Sequence, residues 1–590
     1  MHGHKPLRQT GVRTRSSPCA FALLFLAFVV ESFPGLVLAQ EGDADSNAAT
    51  ELPRRRLITP PETFEPAVKP EGEDFQPYTD RWRIVPPPYE VDVTGSLWDP
   101  YNQNILKGDR PIIGNDIFLN LGATVDTLLE YRKLPTPCGV SAARPNCEEF
   151  FGKPQQFFLN NNVVLSADLF QGLTAFKPFD WRVRTTFVGN VNYLNVKETG
   201  IVNPDVRKGT TRTDGLATLQ EGFAEYKIAD LSPNFDFVSV RGGIQPFNSD
   251  FRGFVFSDTN LGARLFGNFQ SNRNQFNFAY FNQREKDTNS GLNTFARRGQ
   301  QVWIGNFYRQ DFLVPGYTQQ LNVIHVQDEK SFHFDNNDFL ARPDPVGIFT
   351  PHSIRATYFG WNSSGKIGWL NVEHAFYHVI GRDVKNNIAG RDVNIDAYMA
   401  AVELSYDRDW FRPKISYFFA SGDGNPRDKT ARGFDSIFDN PAFVGGGFSF
   451  WNRLAIKLTG TGVNLVNRGS LLPDLRTSKD QGQPNFVNPG IHIFNAGVDI
   501  EVTPKIKLLL NANYLRFAQV ETLQLLLFQS GIHKQIGWDL NAGIRYRPFL
   551  NNNVIAFFGF AMFLPGKGFK DIYESGHPLT IGFTNLTFTY

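Results

Sequence analysis

The chain has 590 residues, with 59 Lys and Arg against 58 Asp and Glu, a formal net charge of +1. So even a balance gives no electrostatic footprint for a nucleic-acid partner. Phe supplies 56 residues and Gly 52, while Cys and Met supply three each, a composition that fits strands whose two faces meet different solvents.

A basic stretch (Lys5, Arg8, Arg13, Arg15) precedes the apolar run AFALLFLAFVV at 20–30, followed by small Ala39 before Gln40. That order describes a secretory signal peptide over residues 1–39. The run is short for a membrane helix, and nothing later reaches the ~20 consecutive apolar residues that a spanning helix needs. Residues 40–116 begin rich in Pro and Glu without apolar periodicity and read as a periplasmic N-terminal segment, flexible to about residue 95. Cys19 falls inside the signal. Cys138 and Cys147, in PTPCGVSAARPNCEEF, sit in loop-like sequence and suit a disulfide in an oxidising compartment. Their spacing lacks the further ligands of a zinc site.

From Ile117 to Tyr590 the pattern alternates. Ile117, Leu119, Leu121, Ala123 and Val125 interleave with Asn120, Gly122, Thr124 and Asp126, and segments around Trp181–Tyr193 and Ile536–Arg547 do the same. Such stretches of about 10–15 residues, with aromatics toward their ends, match membrane strands and aromatic girdles. The connections alternate in length. DFLVPGY, NSSG, DRDW, VTPK and PFLNNN read as short turns; EKDTNSGLNTFARRGQ, 328–353 and 422–490 read as long loops. The fold class expected is all-β, a transmembrane antiparallel barrel of about eighteen strands with short periplasmic turns and long extracellular loops. Residues 422–490 are read either as one loop folded into the lumen or as hiding two more strands near FWNRLAIKL. The terminal segment TIGFTNLTFTY reads as the closing strand, because a sheet in lipid must leave no backbone edge unpaired. Tyr590 resembles the terminal aromatic that the barrel-assembly machinery reads.

The inward register carries both signs. Arg182, Arg184, Arg241, Arg264, Arg412, Lys414, Arg545 and Arg547 are candidate pore-lining cations; Glu403 and Asp539 are candidate pore-lining carboxylates. Lys507, Asp168, Glu221, Glu225, Asp499 and Glu501 share the polar register. Two readings stay open: mutually neutralising charges that keep a wide pore wet, or an arginine ladder for an anionic polymer. His374 and His378 imitate the i, i+4 spacing of a metalloprotease, but on a strand they lie about 13 Å apart, too far to share one zinc. SGDGNPRDK at 421–429 reads as a turn, since Arg427 takes an expected calcium-ligand position. No metal, cofactor or catalytic motif is expected.

YFFASGDGNPRDKTARGFDSIFDNP (417–441), VRGGIQPFNSDFRGFVFSD (240–258) and TPKIKLLLNANYLRF (503–517) resemble the alginate-export family of bacterial outer-membrane porins. The resemblance implies a barrel of about eighteen strands in the bacterial outer membrane and passage of an anionic polysaccharide through an arginine-lined constriction. Arg241 and Arg412 stand beside the matching segments. The expected function is a channel for polar or anionic solutes, extending to export of a polysaccharide such as alginate. The alternative is a general nutrient or phosphate uptake porin, and an outer-membrane hydrolase is a remoter reading. Partners are outer-membrane lipid, the solute and the assembly machinery, without nucleic acid.

Overall fold

A computed structural model describes residues 104–137, 149, 151–172, 174, 177–198, 204–205, 207–550 and 552–590. The signal peptide, most of the 40–116 segment, Cys138 and Cys147 lie outside the described residues. No helix among the described residues is long and apolar enough to cross a membrane.

Eighteen long strands form one antiparallel sheet, each paired with its neighbour in sequence. They are β1 Ile117–Lys133, β2 Gly152–Gln171, β3 Trp181–Glu198, β4 Thr211–Asp230, β5 Phe237–Asn248 and β6 Ser257–Phe269. β7 Asn274–Lys286, β8 Asn293–Arg309, β9 Tyr317–Asp328, β10 Ser353–Ile367, β11 Leu370–Asn386 and β12 Arg391–Tyr406 continue the sheet. β13 Phe411–Ala420, β14 Ile491–Thr503, β15 Ile506–Phe517, β16 Gln535–Tyr546, β17 Val554–Pro565 and β18 Leu579–Thr589 complete it. β18 pairs with β1 from Thr124↔Thr589 to Arg132↔Ile581, and Tyr590 exchanges backbone hydrogen bonds with Ala123. The cylinder therefore has no edge, as a sheet in hydrocarbon requires.

Connections at the rim near Ile117 and Tyr590 are short, from Gly368–Trp369 and Pro504–Lys505 up to residues 172–180. The opposite rim carries 329–352 and 421–490, so the sidedness expected from sequence holds there. Two details differ. NSSG lies inside β10, and the turn follows at Gly368; most of EKDTNSGLNTFARRGQ is strand, leaving only residues 287–292 as the connection. Polar residues at strand ends mark no turn when their backbone groups are paired.

Outward apolar side chains such as Leu165, Phe187, Phe278, Leu321, Ile415 and Phe560 are exposed, a belt that faces lipid. Aromatics flank it. Trp361, Trp369 and Trp410 stand toward the short-turn rim, and Tyr417, Phe494, Tyr514 and Trp538 form a contiguous row nearer the other.

Alternation fails on one side of the barrel. Inward residues Val302, Ile304, Ile324, Val326, Ile354, Tyr358, Val379 and Met399 on β8–β12 are apolar or aromatic and fully buried. Strands covered on both faces lose the polar half of the pattern. What covers them is residues 421–490. This connection adds no strand to the barrel; its only entry into the sheet is Thr430–Ala431, two residues parallel to β12. FWNR forms a four-residue helix, and Ile456–Lys457 pairs with Asn464–Val466 in a small separate hairpin.

Candidate permeation pathway and its plug

Two connections of the long-loop rim turn into the lumen. The shorter, residues 249–256, is fixed at its first carbonyl. Ser249 O accepts from the side-chain amides of Asn306 (3.0 Å), Gln320 (2.7 Å) and Asn322 (3.0 Å). Asp250 accepts from the backbone N–H of Arg252, Gly253 and Phe254 and from the Tyr377 hydroxyl, which holds the segment as a tight buried turn. Residues 421–490 dock on this turn through backbone. Phe256 and Phe438 bridge in parallel, Ser257 N–H donates to Phe438 O at 2.8 Å, and Asn440 N–H donates to Gly253 O at 2.9 Å. Phe254 stacks with Phe418 and meets Phe443 edge-on.

The two connections together reach the other walls. Arg252 bonds Glu373 of β11, Glu403 of β12 (2.9 Å) and the Ala442 carbonyl (2.7 Å). On the β16–β18 side, Ser449 Oγ and the Trp451 N–H donate to Asp539, and Phe450 stacks on Phe563. Arg453 lies 3.5 Å from the Phe583 ring and donates to Glu130 of β1 at 2.7 Å. Anchored on β1 and β16 by its own residues, paired with β12 at Thr430–Ala431 and docked on the Arg252 turn, the 421–490 connection is a plug.

Its interior is a small protein core. Phe434, Phe450, Trp451, Leu465, Leu475 and Phe486 are fully buried, and Arg476 is buried among them. Arg476 pairs with Asp435 at 2.5 Å, has Asp474 at 3.7 Å, and donates to Ser436 O at 2.6 Å. Burial of this kind stands only while the charges remain mutually compensated.

Below the plug, the register places an arginine ladder on β3–β6 near the short-turn rim. Arg182 pairs with Asp168 (2.5 Å) and faces Phe179 and Phe223. Arg184 pairs with Glu221 at 2.7 Å, and Arg241 pairs with Glu225 (2.6 Å) beside Phe223 and Phe266. Arg264, the cross-strand partner of Arg241, bonds the Asn277 amide oxygen and packs on Phe247 and Phe266. It has no carboxylate partner among the described residues, so its charge remains available to the lumen. Phenyl faces between the guanidinium groups keep each planar fork in place.

Above the ladder, between the plug and the β1–β6 wall, lies a cavity of about 760 Å³. Arg132 and Arg212 enter from the wall; Lys457, Arg468 and Lys479 enter from the plug. Arg132 is tied to Glu130 at 2.8 Å, and Arg212 donates to Asn192 at 3.0 Å. Lys479 donates to two plug carbonyls, Asp439 O and Gly469 O. Lys457 donates to Gly462 O at 2.7 Å, and burial pushes its ammonium pKa down to about 8. Of the three lining carboxylates among the described residues, Asp258 is neutralised by Lys286 at 2.6 Å, which leaves Asp335 and Asp480 against the five lining cations. The cavity therefore presents a surplus of positive charge, with amides from Gln156, Asn160, Asn289 and Asn337 around it.

The expected site residues divide accordingly. Arg182, Arg184, Arg241, Arg264, Lys414 and Arg545 stand in inward register, Lys414 paired with Asp499 at 2.9 Å. Arg412 also stands in that register but turns to Asp407 at the short-turn rim, and Arg547 opens the 547–553 turn. Asp539 holds the plug directly, and Glu403 holds the Arg252 turn on which the plug docks. The plug cations escaped the sequence reading because strand register says nothing about a loop.

His374 and His378 both face outward, on Trp361 and Tyr398 respectively. Ser363 Oγ lies 2.5 Å from His374 Nδ1, but Ser363 is 2% exposed beneath the Tyr317 hydroxyl, so no substrate reaches it. In the SGDGNPRDK turn, Asp423 accepts the Asn425 N–H while Asp428 accepts from the Thr430 N–H and Arg432. Those carboxylates are spent on the turn. No group of three potential metal ligands occurs among the described residues.

No protein-family model matches the chain and no curated protein matches its sequence, so the likeness to the alginate-export family stays a resemblance. Solved structures do match in fold. OccK9 (OpdG) of Pseudomonas aeruginosa is 10% identical over 80% of this chain and 98% of its own, with a TM-score of 0.46. A BenF-like porin from Pseudomonas fluorescens Pf-5 is 8% identical over 80% and 98%, with a TM-score of 0.43. OccK2 (OpdF) of Pseudomonas aeruginosa, solved in complex with glucuronate, is 10% identical over 80% and 97%, also at 0.43. Superposition this loose carries nothing about solute or site.

Proposed function

We propose that the protein is an outer-membrane channel that admits small anionic, polar solutes past a fixed intraluminal plug. The cavity carries this reading. Its volume of about 760 Å³ falls within the ~300–1,000 Å³ of small-ligand sites, and its lining is cationic and rich in amides. Below it Arg264, the β3–β6 arginine without a carboxylate partner among the described residues, adds a further cation toward the periplasmic rim. Export of an anionic polysaccharide, which the resemblance implies, asks for the same cations. It also asks for a continuous passage as wide as a sugar chain, where the plug stands. Uptake of sugar acids, aromatic acids or phosphate fits the plugged lumen better. In this reading residues 1–39 direct export, residues 40–116 stand in the periplasm, Cys138 and Cys147 close a disulfide outside, and the assembly machinery reads the strand ending at Tyr590.

Planar-bilayer recording under a KCl gradient tests the proposal. Anion selectivity is expected, with current blocked by millimolar glucuronate, less by glucose, and weakly by long oligouronates. A folded, conducting barrel that prefers cations, or that long oligouronates block best, would overturn the uptake reading.

A further inference from the structure

The outer surface carries a second cationic cluster that the lumen does not explain. Arg355 of β10 and Arg382 of β11 are cross-strand partners, both outward and both exposed. Like charges placed directly opposite on a sheet repel and destabilise it. Asp392 answers only part of this, accepting from Arg382 at 2.8 Å and from the Lys385 backbone N–H at 3.0 Å. Beside the pair lies a concavity of about 470 Å³ lined by Arg382, Gly390, Arg391, Asp392, Asn394 and Lys429. Arg355, Arg391 and Lys429 have no carboxylate within ion-pair distance among the described residues. The other acids nearby are engaged, Asp396 with His378 at 2.9 Å and Asp428 with Arg432 at 2.8 Å.

The height of the cluster selects its ligand. Arg382 follows Ile380 in the outward register, and Ile380 and Phe376 belong to the apolar belt. From Trp369 at the short-turn rim to Arg382, thirteen residues at ~3.3 Å along a strand tilted ~40° climb about 33 Å. The hydrocarbon belt of such a barrel is ~25 Å tall, so the guanidinium groups stand at the level of the outer headgroups. The His378 ring stacks on Tyr398 at 4.4 Å between Phe376 and Ile380, toward the upper end of the belt, as interfacial aromatics do. Guanidinium pairs take phosphate through two parallel hydrogen bonds, a geometry that also relieves the Arg355–Arg382 repulsion.

We propose that Arg355, Arg382, Arg391 and Lys429 form a docking site for the phosphates of a phosphorylated glycolipid in the outer leaflet. The site rests on the barrel spanning the outer membrane and not on what the lumen passes. Acyl chains lie against the Phe376–Ile380 face while the phosphates enter the concavity above.

The test uses the folded full-length barrel in detergent, titrated with bis-phosphorylated lipid A and followed by native mass spectrometry. The comparison protein is the quadruple variant R355Q/R382Q/R391Q/K429Q, checked by heat-modifiable gel migration; R355Q/R382Q serves if it does not fold. Wild type is expected to bind lipid A at least tenfold more tightly than either variant, with affinity falling as salt rises. Removing both phosphates from lipid A should abolish that difference, and 10 mM inorganic phosphate should not displace the lipid. Equal binding by wild type and variant would overturn the proposal, as would full displacement by inorganic phosphate. Single-channel conductance and ion selectivity should be the same in wild type and variant, which separates this site from the lumen.

Discussion

Excising residues 423–488 and joining Gly422 to Pro489 through a short Gly-Ser turn should convert a filter into a wide pore. The join is short because Ala420 and Ile491 are already cross-strand partners. Eighteen strands spaced ~4.8 Å and tilted ~40° close at a backbone diameter of about 36 Å. Inward side chains leave about 24 Å of free width, a cross-section of about 450 Å². By contrast, a cavity of about 760 Å³ drawn out over the ~25 Å height of the belt has a mean cross-section of about 30 Å². The ratio is about fifteen, and resistance at the two mouths lowers the expected gain in single-channel conductance to about tenfold. Selectivity should fall with it, because Lys457, Arg468 and Lys479 leave with the plug. The assay is single-channel recording in 1 M KCl on protein whose folding is verified by heat-modifiable migration. A folded deletion variant conducting within twofold of wild type would refute the assignment of 421–490 as the element that fills the lumen.

Three further outcomes follow from the plug. Lys457 is charged below about pH 8 and neutral above it, because burial holds its pKa under that of a free lysine. The anion-to-cation permeability ratio should therefore drop about fourfold between pH 7 and 9, since one charge ~8 Å from the path in water shifts each ion about twofold and in opposite directions. Lys457→Arg should make that profile flat; a wild-type profile that is already flat would remove Lys457 from the path. Its displaced pKa also costs the fold stability below pH 8, a cost that fades as pH rises from about 8 toward 10.5. Arg476→Met leaves Asp435 and Asp474 buried without their counter-charge and should loosen the plug by ~3–5 kcal/mol. Limited proteolysis within 421–490 should then accelerate at least a hundredfold while the barrel stays folded, and adding D435N and D474N should restore most of the protection. Gly490 holds φ +60° where the plug re-enters β14, and a Cβ there would meet Ser421 backbone atoms at 2.4 Å. Gly490→Val should reduce the yield of heat-modifiable barrel, whereas Gly446→Val, with open space around its Cβ, tests the cost of a positive φ alone.

Register made most of the cylinder legible. Once Ile117, Leu119 and Leu121 face lipid, Asn120 and Gly122 must face inward, and the same logic placed Arg182, Arg184, Arg241 and Arg264. It failed where both faces of a strand are covered. VWIGNF, NVIHV and TYFGW on β8–β10 carry apolar or aromatic residues at successive positions, and that excess was the trace of a plug packed inside. The fate of Glu403 and Asp539 was not legible. Whether an inward carboxylate meets water or a buried loop depends on contacts far along the chain, such as Arg252 to Glu403 at 151 residues and Ser449 to Asp539 at 90. The plug cations were invisible for a related reason, since 421–490 has neither strand period nor helical period to give its side chains a direction.

The two failures locate the pathway. The β8–β12 wall offers a dry inner face, so the plug's apolar side settles there, and Tyr358 donates to Asp435 O at 2.9 Å within that contact. The β1–β6 wall offers asparagine, threonine and arginine, which cost too much to bury against hydrocarbon side chains without partners. Asn190 and Asn192, for instance, bond one another and Asn160 and Asn162 in a row along that wall. Solvated space is therefore left on the β1–β6 side, where the 760 Å³ cavity and the arginine ladder both lie. The division of one lumen into an adhesive half and a wet half is what the proposed selectivity for small anions rests on.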